Sequence, residues 1–337
     1  MLTRLPKMWR LLREIDLDAI RAEAERTFQI VVCAQEPGPA EALAETIGGG
    51  VRHPWVLPLE PEPAVRRARS GAVSLAVLRS PTVCLSAALA EARAALTTAG
   101  VPTIVVLDTA VGGMDLISRE GEAGRVLLSA PDGPQAFLAL LVAAAPPSLR
   151  VALARQLPPL RTAAFAEITE ETARANALYA LTMGLAEVIP LLGVPLNVAD
   201  IVVLTKNQLM MGYRIALAAG KQGATRDVMG ELLSVVGGGF LFRQVGRELV
   251  GLVPVIGVVP KVAVAYAGTL AISKVVVAWA SEDHRLGPKA LRRAYKEAWG
   301  RSKALARALL RGRRERGPLV LNGPAEPLPA GPPSHPR

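Results

Sequence analysis

The chain has few of the side chains on which most catalytic and metal sites depend. Its 337 residues include two cysteines and three histidines, and aromatic residues make up only 4%. The histidines, His53, His284 and His335, are far apart in sequence, and no Cys/His spacing suits zinc. Cys33 and Cys84 lie in apolar contexts, which is typical of reduced core thiols in a cytosolic protein. We therefore predict no metal site.

Positive charge is concentrated near the C-terminus. The formal net charge is +10, from 39 Lys and Arg against 29 Asp and Glu. The segment from Arg285 to Arg316 contains 12 Lys and Arg and two Glu, an excess equal to the net charge of the whole chain. Because the basicity is local, it favours a surface-binding element over a uniformly basic nucleic-acid binder. We predict no nucleic-acid partner.

The hydrophobic pattern divides the chain into four parts. Residues 1–27 predict an amphipathic helix, and residues 28–147 an α/β domain with a parallel sheet, because Val- and Ile-rich runs alternate with helical stretches. Residues 148–316 predict an all-α hydrophobic domain, and the Pro-rich residues 317–337 a disordered tail. Residues 48–62 predict an irregular loop. The expected strands are Phe28–Ala34, Ala72–Leu78, Thr103–Leu107 and Arg125–Ser129.

The order of strands, loops and helices in residues 28–147 resembles a small-GTPase domain of the Era type. A phosphate-binding loop, GxxxxGK[ST], needs close backbone approach, a lysine for the phosphates and a hydroxyl for Mg²⁺. Aligned after the first strand, only Gly38 is retained, while Pro39 replaces the lysine and Ala40 the hydroxyl. The family's Asp-x-x-Gly is expected where Arg79-Ser80-Pro81 stands, and its Asn-Lys-x-Asp where Asp108-Thr109-Ala110-Val111 stands. Ser129-Ala130 matches its final element.

The resemblance therefore implies a degenerate P-loop fold, a pseudo-GTPase with a vestigial loop at Gly38, Pro39 and Ala40. No cofactor is predicted, because the lysine and the metal-holding hydroxyl are both missing at the expected positions. Two alternatives remain open. The first is that the domain has an unrelated Rossmann-like fold. The second is that it binds and hydrolyses GTP through a loop that the motifs do not identify.

A polar thread runs along one helix of the C-terminal part. Asp200, Asn207 and Arg214 are seven residues apart and therefore share a helical face with Met211 beside them, and Gln208 follows Asn207 in the sequence. The other faces of this helix are apolar. Unpaired burial of a polar group costs roughly 2–7 kcal/mol, so we expect these side chains to have partners. They are the candidate structural or partner-binding residues of the chain.

Two segments of the helical part are long and apolar enough to cross a membrane, namely Ala180–Leu204 and Leu249–Ala280. Each contains two charged residues, and a charge at the bilayer centre costs about 2.5–3.5 kcal/mol. The pattern therefore favours hairpins that dip into one leaflet, or a buried helical core, over two complete spans. Residues 288–310 predict an amphipathic helix that suits either an anionic bilayer surface or packing along the domain. Its expected apolar face consists of Leu291, Tyr295, Ala298, Trp299, Ser302, Leu305 and Leu309.

Ala175–Leu310 resembles the bacterial helical family known as domain of unknown function 697, which is commonly found behind Era-like GTPase domains. The resemblance rests on Ile189-Pro190 with Ala199-Asp200, on Asn207-Gln208 with Met211, and on a second Val253-Pro254-x-x-Gly257. The two Pro/Gly elements, 64 residues apart, also suggest two similar helical hairpins. The resemblance implies a membrane-associated accessory module with no established reaction.

These observations predict a non-catalytic, membrane-associated adaptor or regulatory protein on the cytoplasmic side of the cell membrane. The expected partner is an anionic lipid surface, and a protein partner or a homo-oligomer is compatible with the sequence. No small-molecule substrate is predicted. The alternatives are a soluble, cytoplasmic helical scaffold that partners a true GTPase, and an active GTP-binding protein.

Overall fold

The N-terminal half of the chain forms an α/β layer structure and the C-terminal half is helical. The computed structural model describes residues 16–82, 84–108, 117–120, 123–127, 132–186, 198–236, 258–284 and 286–315. The α/β fold with a parallel sheet, followed by a helical part, agrees with the class predicted from the sequence.

The sheet has six strands in the order β2-β1-β3-β4-β6-β5. Strands β2, β1, β3 and β4 form a parallel core, β6 extends it in parallel, and β5 pairs antiparallel at the far edge. Every residue of β1 and β4 is buried, as is usual for a parallel sheet covered on both faces. The strands are β1 (Ile30–Cys33), β2 (Val56–Leu59), β3 (Leu75–Ser80), β4 (Thr103–Leu107), β5 (Ile117–Glu120) and β6 (Ala123–Leu127).

Four helices cover the two faces of the sheet. Helices α2 (Pro37–Gly48) and α5 (Gly133–Ala144) lie on one face, and α3 (Pro61–Arg69) and α4 (Ala87–Thr98) on the other. Alternate residues of β1 follow this division, because successive side chains of a strand point to opposite faces. Ile30 and Val32 join the cluster under α2 and α5, whereas Val31 and Cys33 join the cluster under α3 and α4.

The prediction that residues 48–62 form an irregular loop is wrong, since this segment contains β2 and the start of α3. Its prolines occupy positions that need no backbone N–H. Ile30 and Ala34 donate to the carbonyls of Trp55 and Leu59, so alternate residues of β2 face β1 and the nitrogen of Pro58 faces away from it. Because β2 is an edge strand, no neighbouring strand needs an N–H from Pro58. Pro61 is in the first turn of α3, where the N–H would be unpaired in any residue.

Seven helices outside the sheet layers fall within the described part of the chain. Two short 3₁₀ turns, at Pro147–Leu149 and Pro158–Leu160, flank the first helix after α5. The long helices pack around α10, which contacts α7, α8, α9 and α11. The seven are α1 (Leu17–Ala24), α6 (Arg150–Gln156), α7 (Arg161–Ala186), α8 (Val198–Ala218), α9 (Thr225–Val236), α10 (Val258–Glu282) and α11 (Pro288–Glu315).

One buried cluster continues from the sheet into the helices. It includes Ile30 of β1, Phe137 of α5, Leu153 of α6, Met211 of α8 and Trp279 of α10. The predicted boundary at residue 147 therefore runs through a shared core, and the division into two domains stays a prediction. Helix α1 is the described part of the predicted N-terminal helix, and residues 1–15 lie outside the described residues.

Candidate functional site

The strand order places the expected ligand crevice at the carboxyl ends of β1 and β3. The chain leaves β1 toward β2 on one side, and β3 lies on the other side, so the strand order reverses between them. In open α/β sheets ligands bind in the crevice at such a switch point. Here the crevice is bounded by the N-terminus of α2, by the end of β3 at Arg79 and Ser80, and by Asp108 after β4.

The vestigial loop forms the first turn of α2. The N-cap is Glu36, and Pro37, Gly38 and Pro39 follow it. Four backbone N–H groups at a helix N-terminus normally remain available to bind a phosphate. At this helix two of the four positions are proline and carry no N–H. The exposed carboxylate of Glu36 adds negative charge beside the remaining two, and Ala40 is completely buried.

The guanidinium of Arg79 crosses this crevice. Its Nε donates to Oδ1 of Asp108 at 3.0 Å and its Nη1 donates to the carbonyl oxygen of Pro39 at 2.8 Å. The Arg79 side chain is 19% exposed and that of Asp108 is 31% exposed. The cation at the switch point is therefore already neutralised and tied to the backbone of the vestigial loop.

Sequence comparison with the GTPase motifs noted Arg79 and Asp108 separately and missed their contact. The signal was available, since Arg79 lies at the carboxyl end of β3 and Asp108 directly follows the parallel neighbouring strand β4, so the two residues meet at one edge of the sheet. The contact of Arg79 with Pro39 depends on how α2 packs, which the motifs do not specify. Thr109, Ala110, Val111 and the matching Ser129-Ala130 element lie outside the described residues.

The thiols and histidines do not assemble a reactive centre in the described part of the chain. No group of three or more His, Cys, Asp or Glu side chains there could hold a metal ion. Burial raises the pKa of Cys33 to about 12, so its thiol is protonated at neutral pH. Cys84 is exposed, so its assignment to the core is wrong. Burial lowers the pKa of His53.

A buried polar network joins α7, α8 and α10. Asn207 of α8 donates from Nδ2 to Oδ1 of Asn176 at 2.8 Å, and Asn176 donates from Nδ2 to Oγ1 of Thr269 at 2.9 Å. Gln208 donates to the same hydroxyl at 3.3 Å, and this hydroxyl donates to the carbonyl of Ala265 at 2.8 Å. Asn176 and Thr269 are fully buried. The network therefore pairs polar groups inside an apolar three-helix core.

Arg214 takes part in a different contact. Its Nε and Nη2 donate to the two carboxylate oxygens of Glu23 in α1, each at 3.0 Å. This bidentate pair fastens α1 to α8, so the seven-residue spacing does not bring Arg214 and Asn207 to one site. The side chain of Asp200 lies outside the described residues, as do the two Pro/Gly elements up to Gly257. The sequence analysis did not identify Asn176 or Thr269 as these partners. Thr269 lies in an apolar helical stretch, whereas Asn176 follows several polar residues of α7 and does not stand out from them.

Helix α11 separates apolar and basic residues onto opposite sides. Of the two alternatives for this helix, packing along the domain is the one observed, because Leu291, Tyr295, Ala298 and Ser302 are buried. On the opposite side lie eight exposed cations, which we call the basic face. They are Lys289, Arg292, Arg293, Lys296, Arg301, Lys303, Arg307 and Arg311.

Helices α10 and α11 are antiparallel along nearly their whole described length. Val262 and Tyr266, near the start of α10, share a cluster with Ala306 of α11. Lys274 pairs with Glu297 at 2.6 Å midway, and Trp279 lies in a cluster with Leu291 near the opposite end. The basic face therefore runs beside α10 from end to end.

Searches of the chain against protein-family models, curated proteins and solved structures found no match. The resemblances to Era-type GTPases and to domain of unknown function 697 therefore rest on the sequence residues alone.

One described helix is long and apolar enough to cross a membrane, the stretch Val262–Glu282 of α10, and 72% of its most apolar window is buried inside the protein. Helix α5 and the segment Pro147–Gln156 meet the same criterion only as a pair, and they are bent by 112°. Burial of this extent is also usual for the central helix of a soluble protein.

Proposed function

We propose that the protein is a non-catalytic adaptor or regulatory protein, built on a pseudo-GTPase α/β fold and attached to the anionic cytoplasmic surface of the cell membrane. The observation that carries the non-catalytic part is the contact of Arg79 with Asp108 and Pro39. A nucleoside triphosphate that enters the crevice meets a cation already paired with a carboxylate. It also meets a helix N-terminus at which two prolines leave two positions without an N–H group.

The contacts with Asp108 and Pro39 occupy two of the five N–H donors of Arg79, so a phosphate bound to the other donors would share this cation with a carboxylate. A phosphate that drew Arg79 away from both partners would have to replace hydrogen bonds to a charged group, which contribute about 1.5–3 kcal/mol each. Separation from Arg79 would also leave Asp108, a second negative charge, close to the incoming phosphates. The crevice thus favours the unliganded state.

The membrane part of the proposal concerns a surface attachment rather than a span. Lys296, Arg301 and Lys303 are exposed on α11 alongside the middle of α10. If α10 crossed the bilayer in this arrangement, these three cations would lie near its centre, at a cost of about 8–10 kcal/mol. The same cations are attracted to an anionic headgroup layer when the helix lies on its surface.

The burial of α10 favours a second candidate function, a soluble helical scaffold for a true GTPase. Cell fractionation separates the two, because a surface-attached protein sediments with membranes and is released by carbonate, whereas a scaffold stays in the soluble fraction. Recovery only in the soluble fraction would reject the membrane part of the proposal. Resistance to carbonate would reject the surface mode of attachment.

Titration of the purified full-length protein with fluorescent GTP and ATP, with and without Mg²⁺, tests the non-catalytic part. We expect no saturable binding in the micromolar range. The variant Arg79→Ala separates two causes, because it removes the bound cation but leaves both prolines. If it also fails to bind, loss of the phosphate-binding N–H groups is sufficient. Mg²⁺-dependent micromolar binding by the unaltered protein would contradict the pseudo-GTPase assignment.

A further inference from the structure

We propose that the basic face of α11 is the membrane-docking surface, and that it binds anionic lipid headgroups electrostatically without inserting side chains into the bilayer. This inference rests on the membrane part of the proposed function and deepens it by naming the surface and the lipid chemistry. Its cations are Lys289, Arg292, Arg293, Lys296, Arg301, Lys303, Arg307 and Arg311.

The first argument is the length and continuity of the basic face. Lys289 and Arg311 are 22 positions apart in one uninterrupted helix, which is about 33 Å at 1.5 Å per residue. At 3.6 residues per turn, seven of the eight cations lie within an arc of about 100° on the helix, and Arg301 lies about 80° outside this arc. A continuous helical stripe of this length can place its cations along an anionic surface.

The second argument is that few acidic side chains lie near the cations of the basic face. Glu297 is the only acidic side chain among the described residues of the exposed side of α11. It accepts a hydrogen bond from Lys274 of α10, and this contact lowers the pKa of Glu297. Its charge is therefore matched first by a cation from the neighbouring helix, and cations outnumber acidic groups on the exposed side of α11.

The third argument is that the apolar side of the helix is not available to lipid. Surface helices usually insert aromatic and aliphatic side chains into the acyl boundary. In α11 Leu291 and Tyr295 are buried, and Tyr295 stacks on Trp299 with ring centroids 5.8 Å apart. Nζ of Lys303 lies 5.7 Å from the centre of the Trp299 ring. Attraction to the membrane must then come from charge, which makes it sensitive to salt.

An anionic membrane fits this surface better than a nucleic acid does. Between the cations the exposed side of α11, within the residues whose side chains are described, presents Gly300, Ala304 and Ala308, with no amide or hydroxyl group to contact a base edge. Both aromatic rings of this helix face the protein core and are not placed to stack on bases. What remains is a row of charges without chemical selectivity beyond the sign.

The test is flotation of the full-length protein with vesicles of phosphatidylcholine, with and without phosphatidylglycerol. The variant R293Q/K296Q/R307Q removes three exposed cations and keeps good helix-forming residues. Each basic residue near an anionic surface changes the partition coefficient by about fivefold, so the triple variant should bind about 100-fold more weakly. The control R26Q/R66Q/R69Q removes the same charge from exposed positions elsewhere and should bind like the unaltered protein.

The salt series and the comparison ligands decide the remaining outcomes. Binding at about 0.1 M salt should be lost at about 1 M, where the screening length falls to about 3 Å. Equal binding by the two triple variants, or binding that persists at high salt, would overturn the docking surface while leaving membrane association intact. No binding of the unaltered protein to any vesicle would instead reject the membrane part of the proposed function. Binding to duplex DNA without binding to vesicles would overturn both.

Discussion

Replacing Thr269 by valine should destabilise the helical half by removing one oxygen atom from its centre. The Thr269 hydroxyl accepts from Asn176 at 2.9 Å and from Gln208 at 3.3 Å, and donates to the carbonyl of Ala265. Valine has nearly the same shape but no acceptor. The substitution therefore changes hydrogen bonding with little change in packing volume, which isolates the contribution of the network.

The expected size of the effect follows from the burial of each partner. Asn176 is fully buried, so its Nδ2 would lose its partner with no water to replace it, a cost of about 1–3 kcal/mol. Gln208 is only half-buried and can turn toward water, so its loss is about 0.5–1.5 kcal/mol. The carbonyl of Ala265 keeps its helical hydrogen bond. We expect the free energy of unfolding to fall by about 2–4 kcal/mol.

The matched control is Thr172→Val in α7. The Thr172 hydroxyl also donates to the carbonyl four residues earlier, at 2.9 Å, and among the described residues it has no hydrogen-bond partner on another helix. Urea unfolding followed by circular dichroism measures both variants, and the control should change the free energy of unfolding by less than about 1 kcal/mol. If Thr269→Val is no more destabilising than Thr172→Val, the network contributes nothing specific and the reasoning is refuted. A double-mutant cycle with Asn176→Leu should give a coupling of about 0.5–3 kcal/mol.

Three further predictions concern one ion pair and the two cysteines. Glu23→Gln removes the charge from the bidentate pair with Arg214, in which both side chains are largely buried, and should lower the free energy of unfolding by about 1–2 kcal/mol. The control Glu25→Gln, at an exposed position of the same segment, should leave the free energy of unfolding nearly unchanged, and urea titration measures both variants. Burial raises the pKa of Cys33 from 9.0 to about 12 in the folded state, so the thiol of the unfolded chain ionises first as the pH rises. Between these two pKa values the free energy of unfolding should fall by about 1.4 kcal/mol per pH unit, and Cys33→Ala should lack this contribution. In the native protein a thiol reagent should modify Cys84 much faster than Cys33, and equal rates would contradict the burial of Cys33.

The elements that the sequence predicts well are those in which local pattern and burial agree. Strand β4 has the predicted bounds Thr103–Leu107, because five consecutive β-branched or aliphatic residues lie between turn signals and are buried on both faces. The apolar pattern after the last strand predicts a helix from Gly133 to Ala145, and helix α5 begins at Gly133 and ends at Ala144. Strand β2 and helix α3 were missed because their prolines read as loop signals, and an edge position that tolerates proline is a property of the finished sheet.

The sequence predicts which residues form the candidate sites, but it does not predict which residues they contact. The polar side chains of α8 were recognised as needing partners, yet the partners lie on other elements, Asn176 and Thr269 on α7 and α10 and Glu23 on α1. Nothing local to α8 encodes which of these it meets, because that choice depends on how several helices pack. The closure of the crevice by Arg79 depends in the same way on contacts between residues 29 and 40 positions apart.

The environment of α10 can be argued from the helices around it. From Val262 to Ala280 its one exposed residue is Lys274, so α10 offers almost no apolar surface of its own to lipid. The side chains on the outer faces of the neighbouring helices then indicate whether water or lipid surrounds the bundle, because a bundle in a bilayer presents apolar side chains outward. Helix α7 presents Glu171 and Arg174 at exposed positions, and α11 presents the basic face. Exposed charges on two sides of the apolar central helix indicate that α10 is covered by other helices of the protein, and its apolar composition then reflects this position in the core.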